Sequence, residues 1–534
     1  MPKSGCRNGS QVPFFLPAIY CHNTTMKNII IIGAGSTGAV IASRVSEDPN
    51  RQVLLIEAGP DYPDIGSTPF DLVNSNNNSY TNHDWGFSYS PTRGRDINFP
   101  RGRVVGGSSA VNTTIALRGM PEDYDEWADL GCPEWSFDKV LPAFNRLERD
   151  LDFGDKGYHG DAGPITIRRY PYEELEAPQQ AFLSTADDLG YPYCEDANEP
   201  YSFGAGPHPM NKLGRLRIST AIGYIAPARI RPNLSIKANT TVRRILFNGK
   251  KATGVEVENQ DGSIEVINAN LIVLCAGALM SPKILMHSGI GPAEQLESFG
   301  IDLVGDEPGV GQNLCDHPAL SVVCEVKKGG IVNHDQPIIQ TILRYTAEGS
   351  DKRNDLQIEQ ISFAGSEKGP PLFSIAAVLE YQYGRGELRL RSANPHEPPI
   401  IDNHFCEDDR DTSRLVACMK DTLAFTGKGE LANMITSISF PDPARGVGDE
   451  ALANLCRKFS GSGYHPCGTV KMGDKSDKLA VVDQYGRAHR FDNLIVADAS
   501  IMPFVPRANI NLTCIMIGEM IGEWLRTGPT DYGL

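Results

Sequence analysis

A glycine-rich segment near the start of the chain has the residue types and the spacing that hold a dinucleotide. Gly33, Gly35 and Gly38 form Gly-x-Gly-x-x-Gly between a predicted strand and a predicted helix. The first glycine permits a tight turn, the second lets the backbone approach a pyrophosphate, and the third allows the helix to pack closely on the strand. The amino terminus of that helix then faces the phosphates.

Glu57 extends the pattern to the sugar of the nucleotide. It stands about 20 residues beyond the last glycine, at the end of the next predicted strand, where a carboxylate accepts hydrogen bonds from ribose hydroxyls and disfavours a 2′-phosphate. The fingerprint predicts dinucleotide binding but does not distinguish NAD from FAD as the dinucleotide.

The elements that carry these residues read as a βαβ unit. Residues 27–32 form a continuous apolar run, residues 36–46 keep apolar side chains at helical spacing, and residues 52–57 form a second apolar run. Two later apolar runs, 268–275 and 494–498, each enter a glycine- or alanine-rich turn and then a helical pattern. These distant segments are predicted to share one sheet.

The stretches between them have a different character. The segment Glu387 to Arg391 alternates polar and apolar residues, which is typical of an antiparallel strand with one wet face. Residues 59–107 are rich in turn formers and lack periodicity. We therefore predict an α/β fold with a Rossmann-like nucleotide-binding domain built from discontinuous segments, 26–160, 221–319 and 456–534. Residues 161–220 and 320–455 are predicted to form an α+β substrate domain with an antiparallel sheet.

The charge and the cysteines limit the partners and the compartment. The formal net charge of −16 opposes binding to nucleic acid or to anionic lipid. No run of eighteen apolar residues occurs, so no membrane span is predicted. The 12 cysteines show no Cys-x-x-Cys spacing, which favours neither a disulfide framework nor a zinc site. We predict a cytoplasmic protein without a metal.

Residues 1–25 lack the periodicity of core elements and precede the first buried strand. Their apolar stretch is short, is interrupted by proline and has no clear cleavage site, so it does not predict a signal peptide. We interpret these residues as an amino-terminal extension that the fold does not need, with Met26 as an alternative start.

Four further motifs resemble the glucose-methanol-choline (GMC) oxidoreductases. The segment from Gly102 to Asn112, Gly-Arg-Val-Val-Gly-Gly-Ser-Ser-Ala-Val-Asn, resembles the first signature of that family. The segment from Gly277 to Gly291 is similar to the second signature. The runs Tyr-His-Pro-Cys-Gly-Thr from Tyr464 and Asp-Ala-Ser-Ile-Met-Pro from Asp498 resemble its carboxy-terminal catalytic and flavin-binding segments. The resemblance covers nearly the whole chain beyond the extension.

The resemblance implies FAD as the cofactor, held by a flavin-binding domain under a substrate domain. It places the glycine turn, Glu57 and, more weakly, Val242 at the adenosine half, with Gly107, Asn112, Asp498 and Ala499 nearer the flavin and the pyrophosphate. Some members tether FAD through a histidine in the first signature, where this chain has Val111. Valine cannot form that bond, so non-covalent FAD is expected.

The resemblance also implies the chemistry. Oxidising an alcohol by hydride transfer to flavin N5 requires a base near the hydroxyl and a donor that steadies negative charge. His465 matches the family's base, and Asn509 matches the partner position, with Asn511 as a rival two residues away. His317 is expected to have a structural or supporting role, and Cys467 to be a packing residue.

The predicted function is oxidation of an alcohol, preferably a primary alcohol, to an aldehyde, with oxygen, a quinone or another electron acceptor. An FAD-containing lyase such as a hydroxynitrile lyase is the alternative, although such sites tend to carry a second histidine where this chain has Asn509. A non-catalytic flavoprotein is a third possibility. The basic residues Arg215, Arg217, Arg229 and Arg231 are interpreted as solvated arginines that pair with carboxylates rather than as a site for an acidic substrate.

Overall fold

The computed structural model describes residues 27–327, 333–365, 368–442, 444, 446–528 and 532. The predicted extension 1–25 and the alternative start at Met26 lie outside these residues. In the part of the chain that the structure describes, no helix has both the length and the apolar character needed to cross a bilayer.

A seven-stranded sheet forms the nucleotide-binding part of the fold. Its parallel strands lie side by side in the order Leu234–Lys237, Val53–Ile56, Lys27–Ile32, Ile264–Leu274 and Leu494–Val496. The apolar runs of the strands inside the edge strand Leu234–Lys237 are buried on both faces, as a parallel sheet between helices requires. The strands expected at 27–32, 52–57, 268–275 and 494–498 are thus neighbours in one sheet, with bounds that differ by a few residues.

The strand Ile264–Leu274 changes partners along its length. Its first half pairs antiparallel with Lys251–Glu258, which in turn pairs antiparallel with Thr241–Asn248. Its second half pairs parallel with Lys27–Ile32 and Leu494–Val496. The chain entering Thr241–Asn248 lies against the second strand of the βαβ unit, because the Thr240 backbone N–H donates to the Glu57 carbonyl at 2.9 Å.

A second seven-stranded sheet is antiparallel throughout and is formed largely by the segments predicted for the substrate domain, with Gly461–Ser462 added from the predicted segment 456–534. Six of its strands follow the order Ile435–Phe440, Pro318–Val326, Leu372–Leu379, Leu356–Ala364, Ile339–Tyr345 and Gly204–Pro207. The short strand Gly461–Ser462 pairs with the start of Pro318–Val326. This sheet packs on the helices Ala177–Asp188 and Asp409–Thr426 around its own apolar core.

The alternating segment at 387–391 forms a strand but does not join that sheet. Glu387–Arg389 pairs antiparallel with Ile400–Asp402, which meets a hairpin of Phe87–Thr92 and Arg95–Phe99. The hairpin lies in the stretch 59–107 that we expected to lack regular structure. Leu388 and Ile401 pack into the core of the nucleotide-binding part, so this small sheet bridges segments far apart in the chain.

The remaining elements are short strands and helices. Three two-stranded sheets pair Glu148–Asp150 with Ile165–Ile167, Lys212–Leu213 with Leu216–Arg217, and Ile290–Gly291 with Gly305–Asp306. The other α-helices are Gly38–Val45, Phe70–Val73, Pro121–Asp129, Phe137–Leu147, Ala226–Ala228, Gly277–His287, Ala293–Ser298, Gly429–Met434, Asp449–Phe459 and Asn511–Thr527.

The last helix packs on the first. A Cβ added at Gly518 would lie 2.7 Å from the Val40 Cβ, so the two helices approach closely at this glycine. Just before the first helix, the Thr37 hydroxyl donates to the Cys514 carbonyl at 3.0 Å, and the Ser36 hydroxyl donates to Asn511 Oδ1 at 2.8 Å. The carboxy-terminal helix therefore braces the glycine turn from behind.

Candidate active site

The glycine turn opens one end of a long cavity. Gly33 has φ of +96° and a Cβ there would lie 2.5 Å from the Cys275 carbonyl oxygen, while a Cβ at Gly38 would lie 2.0 Å from the Gly33 carbonyl oxygen. Neither position accepts a side chain. Gly33 and Gly35 line the cavity, whereas Gly38 packs behind them.

Glu57 lies beside this turn with its carboxylate fixed by the backbone. Oε2 accepts from the Ala34 N–H at 2.9 Å and Oε1 accepts from the Gly59 N–H at 2.8 Å. Burial raises the pKa of Glu57 despite these bonds. Val242 lines the same end of the cavity. Each carboxylate oxygen has a second lone pair, so this end can still accept hydrogen bonds from sugar hydroxyls.

The middle of the cavity is bare backbone. Gly107 has φ of +51°, and a Cβ there would lie 2.6 Å from the Gly35 Cα, so the two glycine backbones face each other without side chains. Asn112 also lines this part, with its Oδ1 accepting from the Thr114 N–H at 3.0 Å. A flat or phosphate-bearing group can therefore lie directly against peptide groups here.

Asp498 joins two helix amino termini at the cavity wall. Its Oδ2 accepts from the Gly277 N–H at 2.8 Å and from the Ser281 hydroxyl at 2.5 Å, and its Oδ1 accepts from the Ser500 N–H at 2.8 Å. Burial raises the pKa of Asp498. Ala499, which follows it, also lines the cavity.

His465 and Asn509 meet at the far end. Asn509 Nδ2 lies 3.1 Å from His465 Nε2, and both side chains face the cavity. The rival Asn511 also lines the cavity, but its Oδ1 accepts from the Ser36 hydroxyl at the glycine turn and no hydrogen bond among the described residues joins it to His465. Of the two asparagines, the structure thus brings Asn509 to the histidine.

A buried carboxylate holds His465 in place. Asp316 Oδ1 accepts from the backbone N–H of His465 at 2.9 Å and of His317 at 2.8 Å. Asp316 Oδ2 accepts from the Ser462 hydroxyl. His317 Nδ1 in turn lies 2.9 Å from His465 Nδ1, so the supporting role expected for His317 corresponds to direct contact with the ring of His465.

The electrostatics of this end keep the histidines neutral. Burial, the neighbouring His317 and Arg101 lower the pKa of His465 well below its usual value. Burial lowers the pKa of His317 to about 3 and raises the pKa of Asp316 to about 6. A neutral imidazole with an unprotonated Nε2 is able to accept a proton.

Aromatic side chains surround His465 on the open side. Tyr464, Tyr80, Trp85 and Phe87 line the cavity, with the rings of Tyr80 and Tyr464 at 6.0 Å. Arg101 lies among them, 5.9 Å from the centre of the Tyr464 ring. The sequence patterns assigned no role to these residues, because Tyr80, Trp85, Phe87 and Arg101 lie in the stretch without periodicity and Tyr464 was noted only as part of the motif around His465.

The other residues singled out from the sequence lie away from the cavity. Arg215 pairs with Asp335 and Arg229 with Asp61, as expected. Arg217 differs from the expectation, since it is buried and donates to backbone carbonyls. Arg231 also donates to a carbonyl and a hydroxyl. The buried Cys467 is paired through its backbone with Cys315.

One buried cluster outside the cavity has the ligand types of a metal site. The candidate ligand atoms of Glu148, Asp150 and His159 lie close enough to hold an ion. However, His159 bridges Glu148 at 2.7 Å and Asp196 at 2.8 Å, and Arg169 pairs with both Asp150 and Asp196. Cationic side chains therefore already occupy these carboxylates, and we interpret the cluster as a charge network.

The cavity fits FAD. It runs continuously from Glu57 and Val242, past the facing backbones of Gly35 and Gly107, to His465. The carboxylate at one end suits a ribose and the bare glycines suit the pyrophosphate. Val111 lines the cavity as well and has no atom that could form a bond to a flavin.

Comparisons with known proteins agree with this fit. Two GMC oxidoreductase family models match residues 27–319 and 382–518. The chain is 33% identical to a 5-(hydroxymethyl)furfural oxidase of Methylovorus sp., over 94% of this chain and 99% of the relative. It is 34% identical to oxygen-dependent choline dehydrogenase 1 of Chromohalobacter salexigens, over 93% and 94%.

Solved structures show the same fold. Pyridoxine 4-oxidase from Mesorbium loti superposes with a TM-score of 0.85 at 29% identity, covering 93% of this chain and 98% of that structure. The matched segments include the glycine turn, the loop with Gly107 and the segment with His465. The chain therefore belongs to the GMC oxidoreductase family, whose members use FAD to act on CH–OH groups.

Proposed function

We propose that the protein oxidises a primary alcohol to an aldehyde, with His465 Nε2 as the general base. The main observation behind this proposal is that His465 Nε2 and Asn509 Nδ2 lie 3.1 Å apart and that both residues line the cavity. A hydroxyl placed at this point donates its proton to Nε2 while its oxygen accepts from Nδ2. FAD held at the glycine turn and Glu57 would supply the acceptor for the hydride that leaves the alcohol carbon.

The surroundings of His465 support its role as a base. Asp316 fixes the backbone of His465, so the ring cannot drift from the cavity wall. The lowered pKa keeps the ring in its neutral form, with one nitrogen able to accept a proton, at neutral pH. The amide of Asn509 adds a neutral donor, which stabilises negative charge on the oxygen as the proton leaves.

The lining favours a planar aromatic alcohol over a quaternary ammonium. Tyr80 and Tyr464 offer ring faces beside the base, while Arg101 places a positive charge there. The carboxylates among the described lining residues are Glu57 and Asp498, both of which are bonded to backbone N–H groups. The relatives named for 5-(hydroxymethyl)furfural and pyridoxine agree with this class.

The lyase alternative receives less support. His465 is the one histidine among the described residues that line the cavity, and Asn509 occupies the partner position. The proposal does not specify whether the electron acceptor is oxygen, a quinone or another acceptor. Cytoplasmic localisation stays a prediction, supported by ten described cysteines that are all buried free thiols.

Anaerobic reduction of the flavin tests the proposal. Primary alcohols with an aromatic ring, with an aliphatic chain and with a trimethylammonium group should be mixed with the holoenzyme under nitrogen while the oxidised flavin band is followed. We expect bleaching with the aromatic alcohols and an aldehyde product. Cleavage of a cyanohydrin without bleaching would instead establish the lyase.

A further inference from the structure

The side of His465 that faces away from Asn509 leads to a buried acid. His465 Nδ1 contacts His317 Nδ1 at 2.9 Å. On the other side of His317, Nε2 lies 3.6 Å from Glu380 Oε2. Four side chains thus form a row from the cavity into the core of the substrate domain.

The partners determine where the protons are. An amide nitrogen only donates, so Asn509 Nδ2 donates to His465 Nε2, and the single proton of the neutral ring is on Nδ1. Nδ1 then donates to His317 Nδ1. The proton of neutral His317 is therefore on Nε2, which makes no hydrogen bond to the described residues and lies 3.6 Å from Glu380 Oε2.

Glu380 is 1% exposed, and neither of its carboxylate oxygens has a hydrogen-bond partner among the described residues. A buried carboxylate in this state is uncommon, and a role in proton transfer is one reason to retain such a group. The gap of 3.6 Å to His317 is longer than a hydrogen bond, and such contacts in unliganded sites shorten when substrate binds.

The charges around Glu380 set its protonation. Burial raises its pKa to about 8, and the carboxylates of Glu359 and Asp123 act in the same direction. Arg344 and Arg507 act against this and favour the ionised form. Glu380 therefore changes its charge at mildly alkaline pH, while both histidines stay neutral.

We propose that the proton taken from the alcohol by His465 is passed through His317 to Glu380. The alcohol O–H proton goes to His465 Nε2, the proton on His465 Nδ1 goes to His317 Nδ1, and the proton on His317 Nε2 goes to the Glu380 carboxylate. The alcohol carbon loses its hydride to the cofactor, so the alcohol loses one hydride and one proton and becomes the aldehyde. No other reactant is needed.

The relay resolves an electrostatic difficulty. A proton kept on His465 would leave an imidazolium beside Arg101 in a site whose burial disfavours that charge. Moving the proton to Glu380 instead neutralises a buried carboxylate and leaves both rings neutral. The proposal rests on the proposed function, because it concerns the proton of the same alcohol.

Single-turnover reduction across pH tests the relay. As Glu380 ionises through about 8, the wild-type rate should rise about tenfold between pH 7 and pH 9. Glu380→Gln keeps the shape of the side chain but accepts no proton. The rate of flavin reduction in this variant should no longer rise between pH 7 and pH 9 (the pH limb), and at pH 9 it should be at least about tenfold below the wild-type rate, with full FAD content. A wild-type rate and profile in Glu380→Gln would overturn the relay.

Glu359→Gln is the matched control. Glu359 is a neighbouring carboxylate that contacts His208 at 3.5 Å and raises the pKa of Glu380 through its charge. Its replacement should move the pH limb to lower pH and keep its amplitude. A loss of the limb in this control as well would mean that the effect comes from general electrostatics, and the relay would be wrong.

An infrared measurement tests the relay in the wild-type protein, independently of whether any variant folds. At pH 9, where Glu380 starts mostly ionised, time-resolved difference spectra during anaerobic flavin reduction should transiently gain the carbonyl band of a protonated carboxylic acid, which decays as Glu380 loses the proton again. The absence of that transient band while the wild-type flavin is being reduced would refute the relay. If no alcohol bleaches the flavin in any of these samples, the proposed function fails instead.

Discussion

Removing the imidazole of His465 should abolish most flavin reduction while FAD stays bound. The loss of a general base typically slows a reaction by about 10²–10⁴-fold, or roughly 2.7–5.4 kcal/mol of barrier. The glycine turn and Glu57, which we expect to hold most of the cofactor, lie at the opposite end of the cavity. His465→Ala should therefore purify yellow and reduce slowly.

The structure also indicates what the substitution costs in stability. His465→Ala leaves Asn509 Nδ2 and His317 Nδ1 without their partner. At about 1 kcal/mol for each neutral hydrogen bond, the free energy of unfolding falls by about 2 kcal/mol. His465→Gln retains an amide that can bond to these neighbours but is not a base. It should recover most of the stability and none of the rate.

Asn509→Ala gives a second comparison. It removes one neutral donor to the substrate oxygen, for which roughly 1–3 kcal/mol is expected, a loss of about 5- to 150-fold. All variants should be compared at pH 9 by stopped-flow measurement of flavin reduction under nitrogen. The electron acceptor does not contribute to this rate, because only the reductive half of the reaction takes place. If His465→Ala binds FAD fully and reduces it at the wild-type rate, another group is the base.

Three further predictions follow from features outside the base. Acid precipitation should release the yellow flavin into the supernatant, because Val111 cannot tether it; flavin in the pellet would contradict this. A chain started at Met26 should keep its melting temperature and activity, and a drop of several degrees would show that the extension packs on the body. Burial lowers the pKa of His159, but its bonds to Asp196 and Glu148 outweigh burial and raise it. The ion pairs of protonated His159 therefore stabilise the folded protein fully below about pH 6.5. This stabilisation is lost as the pH rises through the higher pKa that His159 has in the folded state. His159→Gln should flatten that decline in melting temperature.

The βαβ unit was predictable because its signals are local. The apolar strand, the glycine turn and Glu57 lie within a short stretch, and backbone geometry dictates each residue type. The same holds for the parallel strands near 272 and 495, whose apolar runs need burial on both faces. The hairpin at 87–99 was missed, since Pro91 and Gly94 interrupt its alternation.

The support of His465 was less accessible from sequence. Asp316 reaches the His465 backbone only because the strands Pro318–Val326 and Gly461–Ser462 pair. Glu380 follows the strand Leu372–Leu379, which lies on the other side of Pro318–Val326. Its contact with His317 therefore depends on strand order and register, which no local pattern contains.

The bracing of the glycine turn by the last helix also bears on how the protein is made. Asn511 and Cys514 complete the contacts of Ser36 and Thr37 across 475 and 477 residues of chain. During synthesis the amino-terminal βαβ unit emerges first, but its nucleotide pocket stays unfinished until the carboxy-terminal helix has left the ribosome. We therefore expect FAD to bind firmly only after the helix Asn511–Thr527 has packed on the first helix, so that loading of the cofactor follows the joining of these two distant segments.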